Sequence, residues 1–263
     1  MTSILEAVAD LEKNNTAGAL CTIVRTRGAT PRREGCKMLV YADGQILGTV
    51  GGGEVENRVK AEALDSLRDG RTRLLEYNMI DPSKGDVGVC GGTVEVYVEP
   101  ILPRPSIIVI GGGHVGKAVV QLAHWLGFLV GVSDDRIELC TSDTHPDADF
   151  FYPCTLSQLP AMMNITPQVS LVLTTRGSDV DIEGLPALLQ TDAGYIGVIG
   201  SRRRWSFTKQ ALLNAGMSED ALCRVHSPMG LELNAETPEE IALSILSEIV
   251  MLRYRGTGKS MQA

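Results

Sequence analysis

An apolar, β-branched segment, Ser106-Ile107-Ile108-Val109-Ile110, runs directly into Gly111-Gly112-Gly113-His114-Val115-Gly116 and then into a helical stretch, Lys117 to Trp125. A second apolar segment, Leu129 to Val132, follows and ends at Asp134-Asp135-Arg136. Strand, glycine-rich turn, helix and strand in this order leave few topologies open. Parallel strands buried on both faces read as continuous apolar runs, and their connection must cross over. A G-x-G-x-x-G turn is weak evidence alone. Here it follows a strand, opens a helix and precedes an acidic residue at the next strand end, which predicts a Rossmann-like βαβ unit.

Further strands are expected at Ser170 to Leu173, ending in Thr174-Thr175-Arg176-Gly177-Ser178, and at Tyr195 to Ile199, ending in Gly200-Ser201-Arg202-Arg203-Arg204. A helix is expected to start near Ser201. Thr237-Pro238-Glu239-Glu240 reads as a capping box with proline at the first helical position, launching an apolar helix through Ile241, Ile245, Ile249 and Leu252.

The first hundred residues read differently. Ser3-Ile4-Leu5-Glu6 is a capping box for a helix to about Lys13. Ala19 to Arg25, Met38 to Tyr41 and Ile46 to Val50 are β-rich, with Ala42-Asp43-Gly44-Gln45 as a hairpin turn. Gly51-Gly52-Gly53 opens a helix from Glu54 to about Arg68, and Thr93 to Val98 reads as a strand. Three prolines in Glu99-Pro100-Ile101-Leu102-Pro103-Arg104-Pro105 predict an extended connection without regular structure. The expected organisation is an N-terminal α+β domain over 1–99, a proline-rich linker over 100–105, a doubly wound parallel-sheet domain over 106–255 and a mobile tail over 256–263.

Composition removes some functions. The formal net charge of −8 leaves no electrostatic footprint for nucleic acid or anionic membranes. No apolar run reaches the roughly 20 residues that span a bilayer, and the start lacks a signal-peptide pattern. A cytoplasmic protein follows. Cys21, Cys36, Cys90, Cys140, Cys154 and Cys223 include no C-x-x-C pair and read as reduced thiols.

Candidate chemistry gathers at two glycine-rich turns and one cysteine. Backbone N–H groups of Gly111, Gly113 and Gly116 with the helix that follows suit a phosphate or pyrophosphate, with His114 toward the crevice and Asp134 accepting from a ribose hydroxyl. The other reading of this turn is a scaffold that holds no dinucleotide. Ser201 and Arg202 could neutralise an anion at a helix start. Asp179 and Asp181 are a base, a cation site or, for at least one, a helix cap. Gly51, Gly52 and Gly53 form a second amide nest, with Glu56 on the first turn of the helix. Cys90 sits between Gly88 and Gly91-Gly92, where absent side chains let a large partner approach the sulfur. A thiolate there needs nearby cations, for which Arg32, Arg33 and Lys37 are candidates.

Thr30 to Val40, Gly48-Thr49-Val50-Gly51-Gly52-Gly53-Glu54-Val55-Glu56, Val89-Cys90-Gly91-Gly92, Ile110 to Gly116, Tyr195 to Arg202 and Thr237 to Ala242 together resemble the xanthine dehydrogenase accessory protein family (XdhC/CoxI). The resemblance implies a maturation factor that binds molybdenum cofactor (molybdopterin), protects it during sulfuration with a cysteine desulfurase, and delivers it to the apo-subunit of a molybdenum hydroxylase such as xanthine dehydrogenase. It implies a homodimer and makes Cys90 the cofactor and metal contact. Such a chaperone turns over no substrate, so no catalytic residue is assigned. The chain departs from the pattern at Ser178, where many relatives carry histidine while Asp181 is retained, and at Asn234, where glycine often stands. The alternative function is an NAD(P)-dependent oxidoreductase using the Rossmann crevice.

Overall fold

The computed structural model describes residues 3–79 and 91–262. The chain divides into two compact units, Met1–Pro103 and Arg104–Ala263.

In the N-terminal unit, α1 (Ile4–Lys13) starts from the capping box: Glu6 N donates to Ser3 Oγ at 3.1 Å and Ser3 N to the Glu6 carboxylate at 2.7 Å. β1 (Gly18–Arg27), β2 (Lys37–Tyr41), β3 (Ile46–Gly48), α2 (Gly53–Asp69), β4 (Arg73–Met79) and β5 (Gly92–Ile101) follow. The strands form one antiparallel sheet in the order β3-β2-β1-β5-β4. Side chains alternate between its faces. Met38 and Val40 join Cys21, Ile23 and Val96 beneath Val55, Val59 and Ala63 of α2, whereas Leu39 between them packs with Ala7 and Leu11 of α1.

Two expectations change here. β5 runs through Glu99-Pro100-Ile101, with Pro100 opposite Ala19, so part of the predicted linker is strand. β4 pairs with β5 only as far as Val98, so no neighbour on that side needs the N–H that proline lacks. β3 ends at Gly48, whose φ of +83° leaves the strand region, and not at Val50. β4 itself had no counterpart in the sequence reading, although its alternation of half-buried and exposed residues over Arg73 to Met79 is the period-2 signal.

The C-terminal unit contains β6 (Ser106–Ile110), α3 (His114–Trp125), β7 (Leu129–Ser133), β8 (Phe150–Tyr152), α4 (Leu159–Met162), β9 (Val169–Leu173), α5 (Ser178–Leu189), β10 (Tyr195–Val198), α6 (Arg202–Asn214), α7 (Glu219–Leu222), β11 (Val225–His226) and α8 (Pro238–Tyr254). All six strands are parallel, in the order β8-β7-β6-β9-β10-β11. This is the doubly wound Rossmann order, with the direction of winding reversing beside β6. Ile107 and Val109 face α3 and α8; Ile108 and Ile110 face Leu159 of α4, Leu185 and Leu188 of α5, and Leu212 of α6. The Thr237 capping box forms as expected, with Glu240 N on Thr237 Oγ1 at 3.2 Å. Among the described residues no helix is long and apolar enough to cross a membrane.

Candidate functional site

In the N-terminal unit three segments far apart in sequence meet at one end of the sheet. Gly51, Gly52 and Gly53 have φ of +144°, +75° and +60°, a backbone path that side chains rarely follow, and they lead into α2. A Cβ on Gly52 or Gly53 would meet nothing within 4 Å, so the turn opens to solvent. Pro31 of the loop 28–36 packs beside Gly51, at 3.8 Å from where a Cβ there would lie. The same loop carries Gly28 and Ala29 against the third segment. A Cβ on Gly28 would lie 2.8 Å from the Gly91 carbonyl oxygen, and one on Gly92 would lie 2.3 Å from that of Ala29. Gly91 N donates to Met79 O at 2.7 Å, which ties the end of β4 to the start of β5. Cys90 lies outside the described residues; Gly91 is its neighbour in the chain.

Arg27, Arg32 and Arg33 are exposed and make no ion pair among the described residues. Glu34 is committed to the backbone, its Oε1 accepting from Thr26 N at 2.9 Å. Lys37 is engaged elsewhere, donating to Thr22 Oγ1 at 3.2 Å. Glu56 does more than occupy the helix start. Its Oε2 accepts from Thr49 Oγ1 at 2.6 Å and from Gly52 N at 3.2 Å, so a carboxylate already caps one amide of the nest.

The described cysteines, Cys21, Cys36, Cys140, Cys154 and Cys223, are free thiols. Burial pushes Cys21 up to about 12 and raises Cys140, which makes both packing residues rather than nucleophiles.

In the C-terminal unit the loops after β6, β7, β8 and β9 line a partly open cleft of about 140 Å³ that includes Gly111, Asp134, Asp135, Arg136, Cys154, Thr155, Arg176, Asp179 and Glu183. Gly111 and Asp134 therefore share a crevice at the switch point, as the sequence leads one to expect. Gly113, His114, Gly116, Ser201 and Arg202 do not line it. His114 is exposed at the start of α3. Gly116 serves packing: a Cβ there would lie 2.0 Å from the Gly111 carbonyl oxygen, which also accepts from Thr174 Oγ1 at 2.7 Å.

Asp134 is not a free acceptor awaiting a ribose. It is buried; Oδ2 accepts from Gly112 N at 2.8 Å and Arg136 Nη2 at 2.9 Å, and Oδ1 from Arg136 N at 2.9 Å and Nε at 3.0 Å. Beside it Arg176 pairs with Asp135 through two bonds of 2.7 and 2.8 Å and holds that carboxyl down at about 2.

The expected basic anchor at Arg202 also moves. Ser201 does cap α6, accepting from Arg204 N at 3.2 Å, but Arg202 is exposed and Arg204 is the arginine that turns inward. Its Nη2 donates to Asp181 Oδ2 at 2.6 Å and to Thr175 Oγ1 at 2.8 Å, and Thr175 Oγ1 donates to Asp181 Oδ1 at 2.5 Å. Neither Asp179 nor Asp181 is a cap, because the N-cap of α5 is Gly177. Asp181 is fully buried in this ion pair, which leaves it neither base nor cation ligand. No local spacing favours Arg204 over Arg202, since the carboxylate that draws it inward, Asp181, stands 23 residues away.

A third polar cluster was absent from the sequence reading. Glu248 of α8 accepts from Tyr195 OH at 2.6 Å and Gly230 N at 2.8 Å, and lies 3.3 Å from His226 Nδ1, while the Tyr195 and His226 rings stack at 4.7 Å. Burial raises the carboxyl, yet hydrogen bonds from His226, Tyr195 and Gly230 outweigh it and hold Glu248 below its usual range. No local motif marks it, since its members come from three separate segments, Tyr195, His226 to Gly230 and Glu248.

Residues 107–249 match the model of the XdhC Rossmann domain, and residues 11–78 match that of the XdhC and CoxI family. The protein YqeB of Escherichia coli K12 is 34% identical over 261 residues, covering 98% of this chain and 48% of YqeB. A probable xanthine dehydrogenase subunit of Bacillus subtilis 168 is 32% identical over 163 residues, 62% of this chain and 47% of that protein. The molybdenum cofactor insertion chaperone PaoD of Escherichia coli K12 is 23% identical over 283 residues, covering 95% and 88%. The chain thus spans about half the length of the first two relatives. A crystal structure of a xanthine dehydrogenase from Bacillus halodurans shares the fold with a TM-score of 0.52 at 23% identity, each chain covered to 98%.

Proposed function

We propose that this chain, which belongs to the XdhC and CoxI family, is a chaperone that binds molybdenum cofactor in its N-terminal unit, supports its sulfuration and delivers it to a molybdenum hydroxylase. The observation that carries the reading is the meeting of the arginine loop, the tri-glycine turn and Gly91-Gly92 at one sheet end. Molybdopterin carries a phosphate and a dithiolene-bound metal, so its site needs anion donors and a soft ligand close together.

The residues fit that demand. Amides of the Gly51–Gly53 turn and the first turn of α2 would take the phosphate, with Arg32 and Arg33 supplying positive charge. Cys90, next in the chain to Gly91, would contact the metal or its terminal sulfur. Glu56 is then the resident carboxylate with which the phosphate competes for the Gly52 amide. The name of PaoD as a molybdenum cofactor insertion chaperone supports the cofactor, and that of the Bacillus subtilis relative supports the client class. A cysteine desulfurase as sulfur source follows from the sulfuration role. A homodimer is part of the same reading.

The test is pterin retention. Protein purified from cells that make molybdenum cofactor is expected to carry pterin, and Cys90→Ala is expected to lose it while keeping its circular dichroism spectrum and melting temperature. Equal pterin content in folded Cys90→Ala would remove the cysteine from this role.

A further inference from the structure

The strand order of the C-terminal unit implies a nicotinamide dinucleotide, but its residues do not fit one. We infer that an Asp134–Gly112–Arg136 clasp closes the ribose end of this crevice and excludes NAD and NADP. The inference concerns the C-terminal unit alone and stands or falls independently of the cofactor site proposed for the N-terminal unit.

A dinucleotide in this fold needs an acidic side chain at the end of the second strand to receive the ribose diol, and glycine-loop amides to receive the pyrophosphate. A carboxylate offers about four acceptor positions on its two oxygens. In Asp134 four donors use them: the Gly112 amide, the Arg136 amide, Arg136 Nε and Arg136 Nη2, all within 3.0 Å. The side chain of Asp134 is 2% exposed, against 40% for Arg136, so the guanidinium covers the carboxylate from the solvent side. One bond therefore withdraws both halves of the recognition device, because the group meant for the ribose holds an amide of the loop meant for the phosphates.

The loop has nowhere to retreat. Behind Gly112 stand the Leu139 carbonyl oxygen and His145 Nε2, at 2.4 and 2.8 Å from where a Cβ on Gly112 would lie. His145 is 1% exposed, so the wall behind Gly112 is closed to solvent. The space that remains, about 140 Å³, is below the roughly 300 Å³ at which small-molecule pockets begin. Asp179 and Glu183 add negative charge to its lining, which repels a pyrophosphate further.

Two measurements on the full chain test the clasp. Calorimetric titration of the wild-type protein with NAD+, NADH and NADP+ up to about 1 mM is expected to give no saturable binding. Amide exchange at Gly112, followed by NMR, is expected to quicken at least about tenfold in Asp134→Ala, since a local opening that no longer breaks a buried bond costs less. Asp134→Asn, of the same shape but without the charge, serves if the alanine variant does not fold, and is expected to quicken it by a smaller factor. Saturable one-to-one binding of any of the three dinucleotides to wild type would overturn the inference, as would a Gly112 amide that exchanges equally fast in wild type and in the folded variant.

Discussion

Glu56 Oε2 accepts hydrogen bonds from Thr49 Oγ1 at 2.6 Å and from Gly52 N at 3.2 Å, so the first turn of α2 carries its own anion. In the C-terminal unit Asp134 also takes a loop amide, Gly112 N at 2.8 Å, but it is buried under Arg136 with four donors, whereas Glu56 is half-buried and holds the Gly52 amide at 3.2 Å. A glycine-rich turn before a helix is attractive to anions whatever their source, and in both units an internal carboxylate takes an amide. Glu56→Ala leaves the Thr49 hydroxyl and the Gly52 amide to water. At this half-buried position the expected loss is about 1–2 kcal/mol in urea unfolding; a change within about 0.5 kcal/mol would show that the bonds contribute no net stability.

The arginines after β10 separate by burial. Arg204→Ala strands the fully buried Asp181 carboxylate and is expected to cost about 3 kcal/mol, whereas the exposed Arg202→Ala should stay within about 0.5 kcal/mol. Chemical denaturation of the two variants side by side decides this, and equal stabilities would mean that the ion pair is not what anchors α6.

The glycines of the turn before α3 are unequal. Gly116→Ala drives a methyl group into the Gly111 carbonyl and is expected to cost about 3 kcal/mol. Gly113→Ala enters open space at φ −73° and loses only the helix-cap preference of glycine, about 1 kcal/mol. Melting temperatures in the reverse order would contradict the packing assigned to Gly116.

Glu248 sets a pH dependence of definite sign. Its carboxyl lies below the usual value in the folded chain, so its contribution is present above the unfolded value near 4.5 and is lost as pH falls through the lower folded value. Glu248→Gln is expected to cost about 2 kcal/mol at neutral pH, with the gap to wild type closing below about pH 4.5. A gap that stays constant down to acid pH would mean that the charged form gains nothing from Tyr195, His226 and Gly230.

The elements set by local rules were legible. Ser3 with Glu6 and Thr237 with Glu240 are capping boxes, and the run from Ser106 to Asp134 forms the parallel βαβ unit its pattern predicts. The fate of side chains that reach across the fold was not legible. Asp134 and Asp181 are placed correctly at strand and helix ends; Arg136, two residues on, is a local partner of Asp134, but Gly112 and Arg204 stand 22 and 23 residues from the carboxylates they reach. Which donor reaches a buried carboxylate depends on packing that no local pattern encodes. Pro100 misled for the opposite reason: the rule against proline in strands supposes a neighbour on both sides, and β4 stops short of it.

The central claim is that the arginine loop and the tri-glycine turn serve one anionic cofactor. Its most direct test is the affinity of cofactor-free protein for isolated molybdenum cofactor, measured for wild type and for the double variant Arg32→Ala/Arg33→Ala. Both arginines are exposed and unpaired among the described residues, so the variant should melt with wild type. Its affinity is expected to fall at least about tenfold, the equivalent of about 1.4 kcal/mol. Affinities equal within about twofold, well under 1 kcal/mol, would contradict it.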